Sequence, residues 1–415
     1  MARSMGMREA ESLAPGILGQ RLAEARKACG KTQEAAADWL GCSRPVVIAI
    51  EKGTRPASAD EIVKLASFYG QSVHDIMRPS APQVALAPHL RAVVDQSVKG
   101  VQDLSQVILE MQRLAEDYVE LERLMQAPLP ENHPPELRGP VPAGAHEMRA
   151  LAEDVAIRER ARLFLGDQPI LSLRRVLESE VGIRIFCGPL PSAVAGMYAF
   201  VADLRYCIML NGKHPAERRR ATLAHEYGHF FCDRHKPGID YLTEGSRKPA
   251  NERFAEAFAM SFLMPETGVR RQFREIRETT NDFQVADLCR LSNFYFVSVQ
   301  AMTLRLEALG LITEGSWRHL AENRFQAVAA KRDLHLSAHS TESYDPYPER
   351  YKFLAVQAFQ HVLISEGELA AFLRCDRVEA RAIVQDCVSR SDIDEGGNEA
   401  MVSMRFEDSL LRSKS

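Results

Sequence analysis

The spacing of hydrophobic and polar residues divides the chain into regions with different periodicities. Between residues 16 and 78, apolar positions three or four apart recur in short stretches separated by small turns, which predicts four or five short helices. Between Leu90 and Met125 the helical spacing continues through one long amphipathic stretch, interrupted by Gly100. Its heptads are irregular, so a dimer seam and a helix packed on its own chain remain open alternatives.

A cluster of six prolines between Pro128 and Pro142 indicates extended or irregular chain and the clearest domain boundary. Residues 146 to 165 return to helical spacing, and the chain is again mostly helical after about Pro265. Between these helical regions, apolar runs bounded by Gly, Pro and Ser predict strands at Ile183–Phe186, Met197–Val201 and Tyr206–Leu210. The pattern therefore predicts an α+β multidomain protein with an all-α N-terminal region, a core with a small sheet, and a helical C-terminal region.

The length agrees with several domains, because 415 residues exceed what one compact core usually holds. We expect a helical N-terminal domain over 16–80, a long helical linker or dimerisation segment over 88–127, and a proline-rich linker over 128–145. The mixed domain then spans 146–315, and a small helical C-terminal domain spans 340–400.

Composition limits the general partners and the cellular location that we expect for the protein. Lys and Arg (52) nearly balance Asp and Glu (56), so net charge favours neither nucleic acid nor a membrane surface as a general partner. No apolar run is long enough to cross a bilayer, and the N-terminus lacks the apolar core of a secretion signal. We therefore expect a cytoplasmic protein without a membrane partner, whose eight scattered cysteines are reduced thiols.

The sequence His225-Glu226-Tyr227-Gly228-His229 falls within a stretch that favours a helix from Pro215 to Cys232. Histidines four residues apart lie on one helix face, so both imidazoles can bind one divalent ion, for which zinc is the natural occupant. A catalytic zinc has three protein ligands and a water, and Glu226 can take the proton of that water as general base. Because this five-residue pattern also occurs by chance in helices with a buried histidine pair, a third ligand is required.

A second helical pattern, from Glu252 to Met264 and ended by Pro265, carries two acids four residues apart. If this helix crosses the first, Glu252 can be the third metal ligand, while Glu256 accepts the outer N–H of a ligating histidine. The alternative is that both acids are solvated charges on a helix surface. Apolar neighbours favour burial and therefore the metal site; they are Phe254, Ala255, Phe258, Ala259, Phe262 and Leu263.

These segments resemble the ImmA/IrrE family of metallopeptidases. The resemblance covers roughly residues 146 to 312, through Cys207–Asn211, Pro215, Arg218–His229, Glu252–Pro265 and Ser298–Ile312. It implies a zincin-like core and a Zn²⁺-dependent endopeptidase whose substrates are often helix-turn-helix repressors, which we would seek among neighbouring genes. It further implies cleavage in response to DNA damage, element induction or phage, with single-stranded DNA as an activator. Family members usually have Asn or Asp where Glu256 stands.

Residues 16 to 78 resemble an Xre-type helix-turn-helix. Thr32 and Ser43 are suited to cap the second and third helices, and Gly41 permits the sharp turn between them. The resemblance implies that the third helix enters the major groove, where Gln33 and Arg44 would face phosphates and base edges. Eight basic residues against seven acidic ones over residues 18–75 leave a weak electrostatic footprint. A protein-binding or dimerisation module is therefore the alternative to a domain that binds DNA.

Two functional hypotheses follow: a regulatory protease that removes a repressor, and a DNA-binding transcriptional regulator whose peptidase-like domain senses a ligand without proteolysis. Glu226 favours the first, because a sensor needs no base beside its metal. Cys232 has two interpretations, an inhibitory thiol that reaches the metal or a small buried residue. Ser365 and Glu368 predict a capping box within the C-terminal domain, which we expect to be a sensor or docking domain.

Overall fold

The computed structural model describes residues 15–69, 73–77, 104–201, 204–241, 249–336, 345–388, 391–393 and 399–401. The protein is an α+β multidomain structure with a small mixed sheet, an N-terminal helix-turn-helix region and a largely helical C-terminus, which confirms the predicted class. None of the helices in these ranges is long and apolar enough to cross a membrane. All eight cysteines are free thiols, as expected.

The N-terminal region has five helices with a hydrophobic core of their own: Pro15–Ala28, Gln33–Leu40, Arg44–Glu51, Ala59–Tyr69 and Val73–Met77. Thr32 caps the second helix, because its hydroxyl accepts a hydrogen bond of 3.1 Å from the backbone N–H of Ala35. Gly41 ends that helix with φ of 70°, a left-handed conformation that favours glycine and turns the chain toward the third helix. Ser43 occupies the predicted cap position, although its hydroxyl accepts no hydrogen bond from the helix.

The next described helix, Leu104–Leu124, is the second half of the predicted long helix. Its apolar positions are buried within the chain itself, among them Leu104, Ile108, Met111, Leu114 and Leu121. For this stretch, burial favours the packed helix over a dimer seam. The first half, residues 90–103, lies outside the described residues.

The sheet has the strand order β1-β3-β2-β4, with β1 at Arg184–Gly188, β2 at Val194–Val201, β3 at Arg205–Asn211 and β4 at Gly238–Tyr241. β1 runs parallel to β3, whereas β2 runs antiparallel to both β3 and β4. The first three strands confirm the predicted ones with shifted ends. β4 was not predicted, because four residues that begin with glycine carry little strand signal.

Nine helices of the described residues share one hydrophobic core with this sheet. They span Ala145–Arg162, Leu173–Val176 with a π-helical continuation Leu177–Val181, Ala216–Cys232, Ala250–Leu263, Glu266–Thr280, Val285–Phe294, Val299–Ala308, Ser316–Glu322 and Ala327–Asp333. Two of them carry the predicted site, and we call Ala216–Cys232 the motif helix and Ala250–Leu263 the Glu252 helix. They are adjacent, so the fold brings together segments that are about 25 residues apart in sequence.

The proline-rich segment 129–143 has no regular helix or strand, as predicted, but it packs on this core. The backbone N–H of Leu137 donates to the carbonyl of Phe231 at the end of the motif helix, at 2.9 Å. Near the end of the segment, the carbonyl of Ala143 accepts a hydrogen bond of 3.1 Å from Arg253. The segment is therefore held on the core by contacts near both ligand-bearing helices.

The described residues within 15–116 and 129–348 belong to one compact unit, and the described residues within 117–128 and 349–401 form another. The second unit contains helices Glu349–Gln360, Glu366–Phe372 and Arg377–Val388. Ser365 and Glu368 form the predicted capping box, with hydrogen bonds of 3.2 and 2.6 Å. A short hairpin, Ser391–Ile393 with Glu399–Met401, departs from the purely helical prediction, because three-residue strands are too short to show a period.

Candidate metal centre

The motif helix places both histidines of the predicted site on one face. It begins directly after Pro215, whose fixed φ is compatible with a helix start. His225 and His229 are one helical turn apart, and their Nε2 atoms lie 3.1 Å from each other. His225 is 9% exposed and His229 is partly buried, so both rings are largely withdrawn from solvent.

The Glu252 helix supplies the third side chain. The two helices approach closely where Gly228 of the motif helix meets Ala255, because glycine leaves room for the other backbone. This contact brings the Glu252 carboxylate to the histidines, with Oε2 3.3 Å from Nε2 of His225 and Oε1 3.3 Å from Nε2 of His229. The two imidazoles hold the pKa of Glu252 well below its usual range.

These residues fit a divalent metal. Ligand atoms of His225, His229 and Glu252 lie within 4.8 Å of one another, and two imidazoles with one carboxylate form a typical donor set for a catalytic metal. Beside them, Oε1 of the buried Glu226 has no hydrogen-bond partner among the described residues. A buried carboxylate oxygen without a partner is costly, so this atom indicates a group that the described side chains do not supply.

Glu226 has the electrostatic properties expected of a general base. Burial raises its pKa to about 7, against the opposing effect of the two histidines, and Asp240 on β4 also raises it. On its sheet side, Gly196 of β2 leaves space for the carboxylate, since a Cβ there would lie 3.3 Å from Oε1. A carboxylate with a pKa near neutrality can both accept a proton and release it.

The acid beside the outer nitrogen of His229 is not the one expected. Glu256 is exposed on the Glu252 helix. Asp233, directly after the motif helix, has its Oδ2 3.8 Å from Nδ1 of His229. Contacts to His229, Lys236 and Asn251 hold the pKa of Asp233 well below its usual range.

Cys232 lies on the side of His229 where Asp233 is found. Its Sγ is 3.8 Å from Oδ2 of Asp233 and 3.8 Å from the carbonyl of Gly228. The Cys232 thiol also belongs to a second group of described ligand atoms within 4.8 Å of one another, with His229 and Asp233, which shares His229 with the group of His225, His229 and Glu252. Cys232 is partly buried and close to His229, so the inhibitory thiol and the small buried residue both stay predictions.

Of the two side chains predicted to face DNA, Gln33 is engaged within the N-terminal region. Gln33 donates a hydrogen bond of 2.9 Å to Glu51, which also forms an ion pair with Arg26. Arg44 is exposed, but Glu34 lies 4.0 Å from its guanidinium. An acid beside the start of the third helix weakens attraction to phosphates there.

Two comparisons with family models match separate parts of the chain. Residues 178–307 match the model of the IrrE N-terminal-like domain, a metallopeptidase family of the zincin-like type, and residues 17–77 match a helix-turn-helix domain. The central region is similar to the IrrE N-terminal-like domain over residues 178–307. All four convergent residues, His225, Glu226, His229 and Glu252, lie within the matched range of this domain.

Other comparisons add little to the IrrE N-terminal-like match. Among curated proteins, none matches the chain. The crystal structure of ComR from Streptococcus suis is 12% identical, with 91% of this chain and 89% of that chain covered and a TM-score of 0.16. The apo form of ComR from S. thermophilus is 11% identical, with 77% and 95% covered and a TM-score of 0.15. TM-scores this low support no conclusion about fold or function.

Sequence reasoning missed three residues of the matched region that shape the site: Gly196, Asp233 and Asn251. Asp233 could have been found, because it follows His229 by the same four residues that separate the two histidines. Gly196 and Asn251 gave no such signal, since each acts on a residue that is distant along the chain.

Proposed function

We propose that the protein is a regulatory zinc-dependent endopeptidase that cleaves a partner transcriptional repressor in response to a stress signal such as DNA damage or phage. The proposed peptidase activity is supported by one observation: His225, His229 and Glu252 converge beside the unpartnered oxygen of Glu226. The site combines a donor set for a metal with a buried base, which is the minimum for metal-assisted hydrolysis.

Each residue of the site has a separate role in this proposal. His225, His229 and Glu252 would hold Zn²⁺, which polarises a peptide carbonyl and lowers the pKa of a water molecule when it is bound. Glu226 accepts the proton of the attacking water at Oε1 and returns it to the leaving amine. Its burial beneath β2 keeps bulk water away from this carboxylate and strengthens the electrostatic interactions there.

The sheet offers a place for an extended peptide substrate. Among the described strands β4 lies at one edge and pairs with β2, so its other edge can accept a strand. Asp240 of β4 pairs with Gly196 of β2, which lies against the Glu226 carboxylate, and this supports a position of the edge near the base. A peptide added to β4 would therefore pass near the proposed catalytic group, which supports a protein substrate.

Regulation is supported by the helix-turn-helix domain on the same chain. Such a domain is typical of proteins that bind DNA, and the family resemblance adds single-stranded DNA as the activating partner and a helix-turn-helix repressor encoded nearby as the substrate. An activator can shift the enzyme only if it binds the active form more tightly, by ~1–3 kcal/mol for a typical coupling.

The test uses the full chain, its Glu226→Gln variant, and repressors encoded by neighbouring genes, each with and without single-stranded DNA. We expect zinc in both proteins, cleavage by the wild type, and a loss of about 100-fold or more in the variant, since only the base is removed. Unchanged cleavage by Glu226→Gln would remove this residue from the mechanism. Stoichiometric zinc without cleavage under either condition would favour the non-proteolytic regulator.

A further inference from the structure

Asp233 contacts both helices that carry the proposed metal ligands. On the motif helix, its Oδ2 lies 3.8 Å from Nδ1 of His229, the ring nitrogen opposite the Nε2 that faces Glu252. On the Glu252 helix, the side-chain amide of Asn251 donates to the same Oδ2 at 2.6 Å. Asn251 directly precedes Glu252, so one carboxylate links a ligating histidine to the first turn of the other ligand-bearing helix.

The carboxylate of Asp233 is itself fixed from two further directions. Lys236 donates a hydrogen bond of 2.6 Å to Oδ1. The backbone N–H of Asp233 donates to the carbonyl of His229 at 2.7 Å, which continues the helical pattern by one residue. Only 15% of the Asp233 side chain is exposed, so its orientation is set by these partners.

We infer that Asp233 is the positioning residue of the metal centre, a role that the sequence pattern had predicted for Glu256. By accepting Nδ1–H of His229, it would keep Nε2 unprotonated and directed at the metal, as acids beside ligating histidines commonly do. A contraction of about 1 Å would turn the present contact into a hydrogen bond. Through Asn251, the same carboxylate also fixes the start of the helix from which Glu252 reaches the site.

This inference rests on the proposed metal-binding function, but it is tested without any proteolysis assay. Zinc affinity is measured for the full chain by competition with a chromogenic chelator, in wild type, Asp233→Ala, Asp233→Asn, Asn251→Ala and Glu256→Gln. We expect Asp233→Ala to weaken zinc binding about 10- to 100-fold. Asp233→Asn should lose less, because its amide oxygen still accepts from Nδ1–H, and Asn251→Ala should also weaken binding. The matched control Glu256→Gln should bind as wild type.

A second measurement separates positioning of the ligands from general damage to the fold. The visible absorption spectrum of the Co²⁺-loaded proteins reports ligand geometry, and circular dichroism shows that each variant is folded. We expect an altered Co²⁺ spectrum for folded Asp233→Asn and an unaltered one for Glu256→Gln. Wild-type zinc affinity and spectrum in both Asp233 variants would overturn the inference alone, whereas a wild-type chain that binds no metal would overturn the proposed function itself.

Discussion

Gly228 and Ala255 are in contact through their backbones where the two ligand-bearing helices meet: a Cβ added to Gly228 would lie 2.7 Å from Cα of Ala255. Neither backbone can move away from this contact without changing the distance between the two helices. Gly228 directly precedes His229, so a shift of the helix contact at Gly228 would move a proposed metal ligand.

Gly228→Ala should therefore weaken zinc binding and lower the stability of the fold. Overpacking of this kind typically costs about 1–3 kcal/mol. Chemical denaturation and zinc titration measure the two effects. The matched control is Gly16→Ala, where an added Cβ meets nothing within 4 Å. Equal losses in both variants would show that the helix contact does not control the site.

The ligand set predicts the metal content of the purified protein. We expect about one zinc per chain in the wild type and its loss in His229→Ala and in Glu252→Ala, since each removes one of the three protein ligands of a catalytic site. Metal analysis after extensive dialysis is the measurement. Full zinc content in both variants would mean that the ligands lie elsewhere.

Gly196 should be needed for the correct position of the general base Glu226 and not for metal binding. A Cβ at Gly196 would lie 3.0 Å from Cγ2 of Thr222 and 3.3 Å from Oε1 of Glu226. Because a displacement of the base can cost about 100-fold in rate, Gly196→Ala should lower kcat strongly while zinc content stays near wild type. Adding Thr222→Ser removes the closer contact and should restore part of the activity. Loss of zinc in Gly196→Ala would argue for a wider distortion.

The ion pair between Glu153 and Arg305 should control stability at acid pH. Burial tends to raise the pKa of Glu153, but its hydrogen bonds to Arg305, at 2.8 and 2.7 Å, and to Ser261 lower it overall. A carboxylate with a lowered pKa in the folded state stabilises above its unfolded pKa and loses this contribution as pH falls through the folded value. Wild type should therefore lose stability below a pH of about 4.5.

Glu153→Gln should flatten this part of the pH profile. It should also lose about 1–3 kcal/mol at neutral pH, because the Arg305 side chain is only 5% exposed and would lose its charged partner, while its Nε keeps the hydrogen bond to the Met264 carbonyl. Urea unfolding at several pH values provides the comparison. An unchanged acid profile in the variant would exclude Glu153 as the titrating group.

Cys232→Ser distinguishes the two interpretations of the thiol. A thiol that blocks the metal predicts higher basal proteolysis in the variant, since serine is the poorer zinc ligand. The position of Sγ beside Asp233 instead predicts basal and DNA-stimulated rates close to wild type. Initial rates of repressor cleavage decide between these outcomes.

The sequence alone determined the features that are set within a few residues of the chain. Helix ends at Thr32, Gly41 and Ser365 follow from local hydrogen bonds and backbone preferences, which neighbouring residues satisfy. The four-residue spacing of His225 and His229 determines a shared helix face in the same way. The predicted third ligand depended on a helix crossing, and the structure brings Glu252 to both histidines.

Only the tertiary structure decided which distant groups meet. Glu256 and Asp233 were both acids one turn from a ligand residue, and the position of the helices left Glu256 exposed and put Asp233 beside His229. Gln33 likewise donates to Glu51, a contact across 18 residues, although the resemblance to a helix-turn-helix implied that it faces DNA. Periodicity specifies the face of a helix, whereas the contacts of that face depend on how helices approach and rotate against each other, which side-chain packing determines.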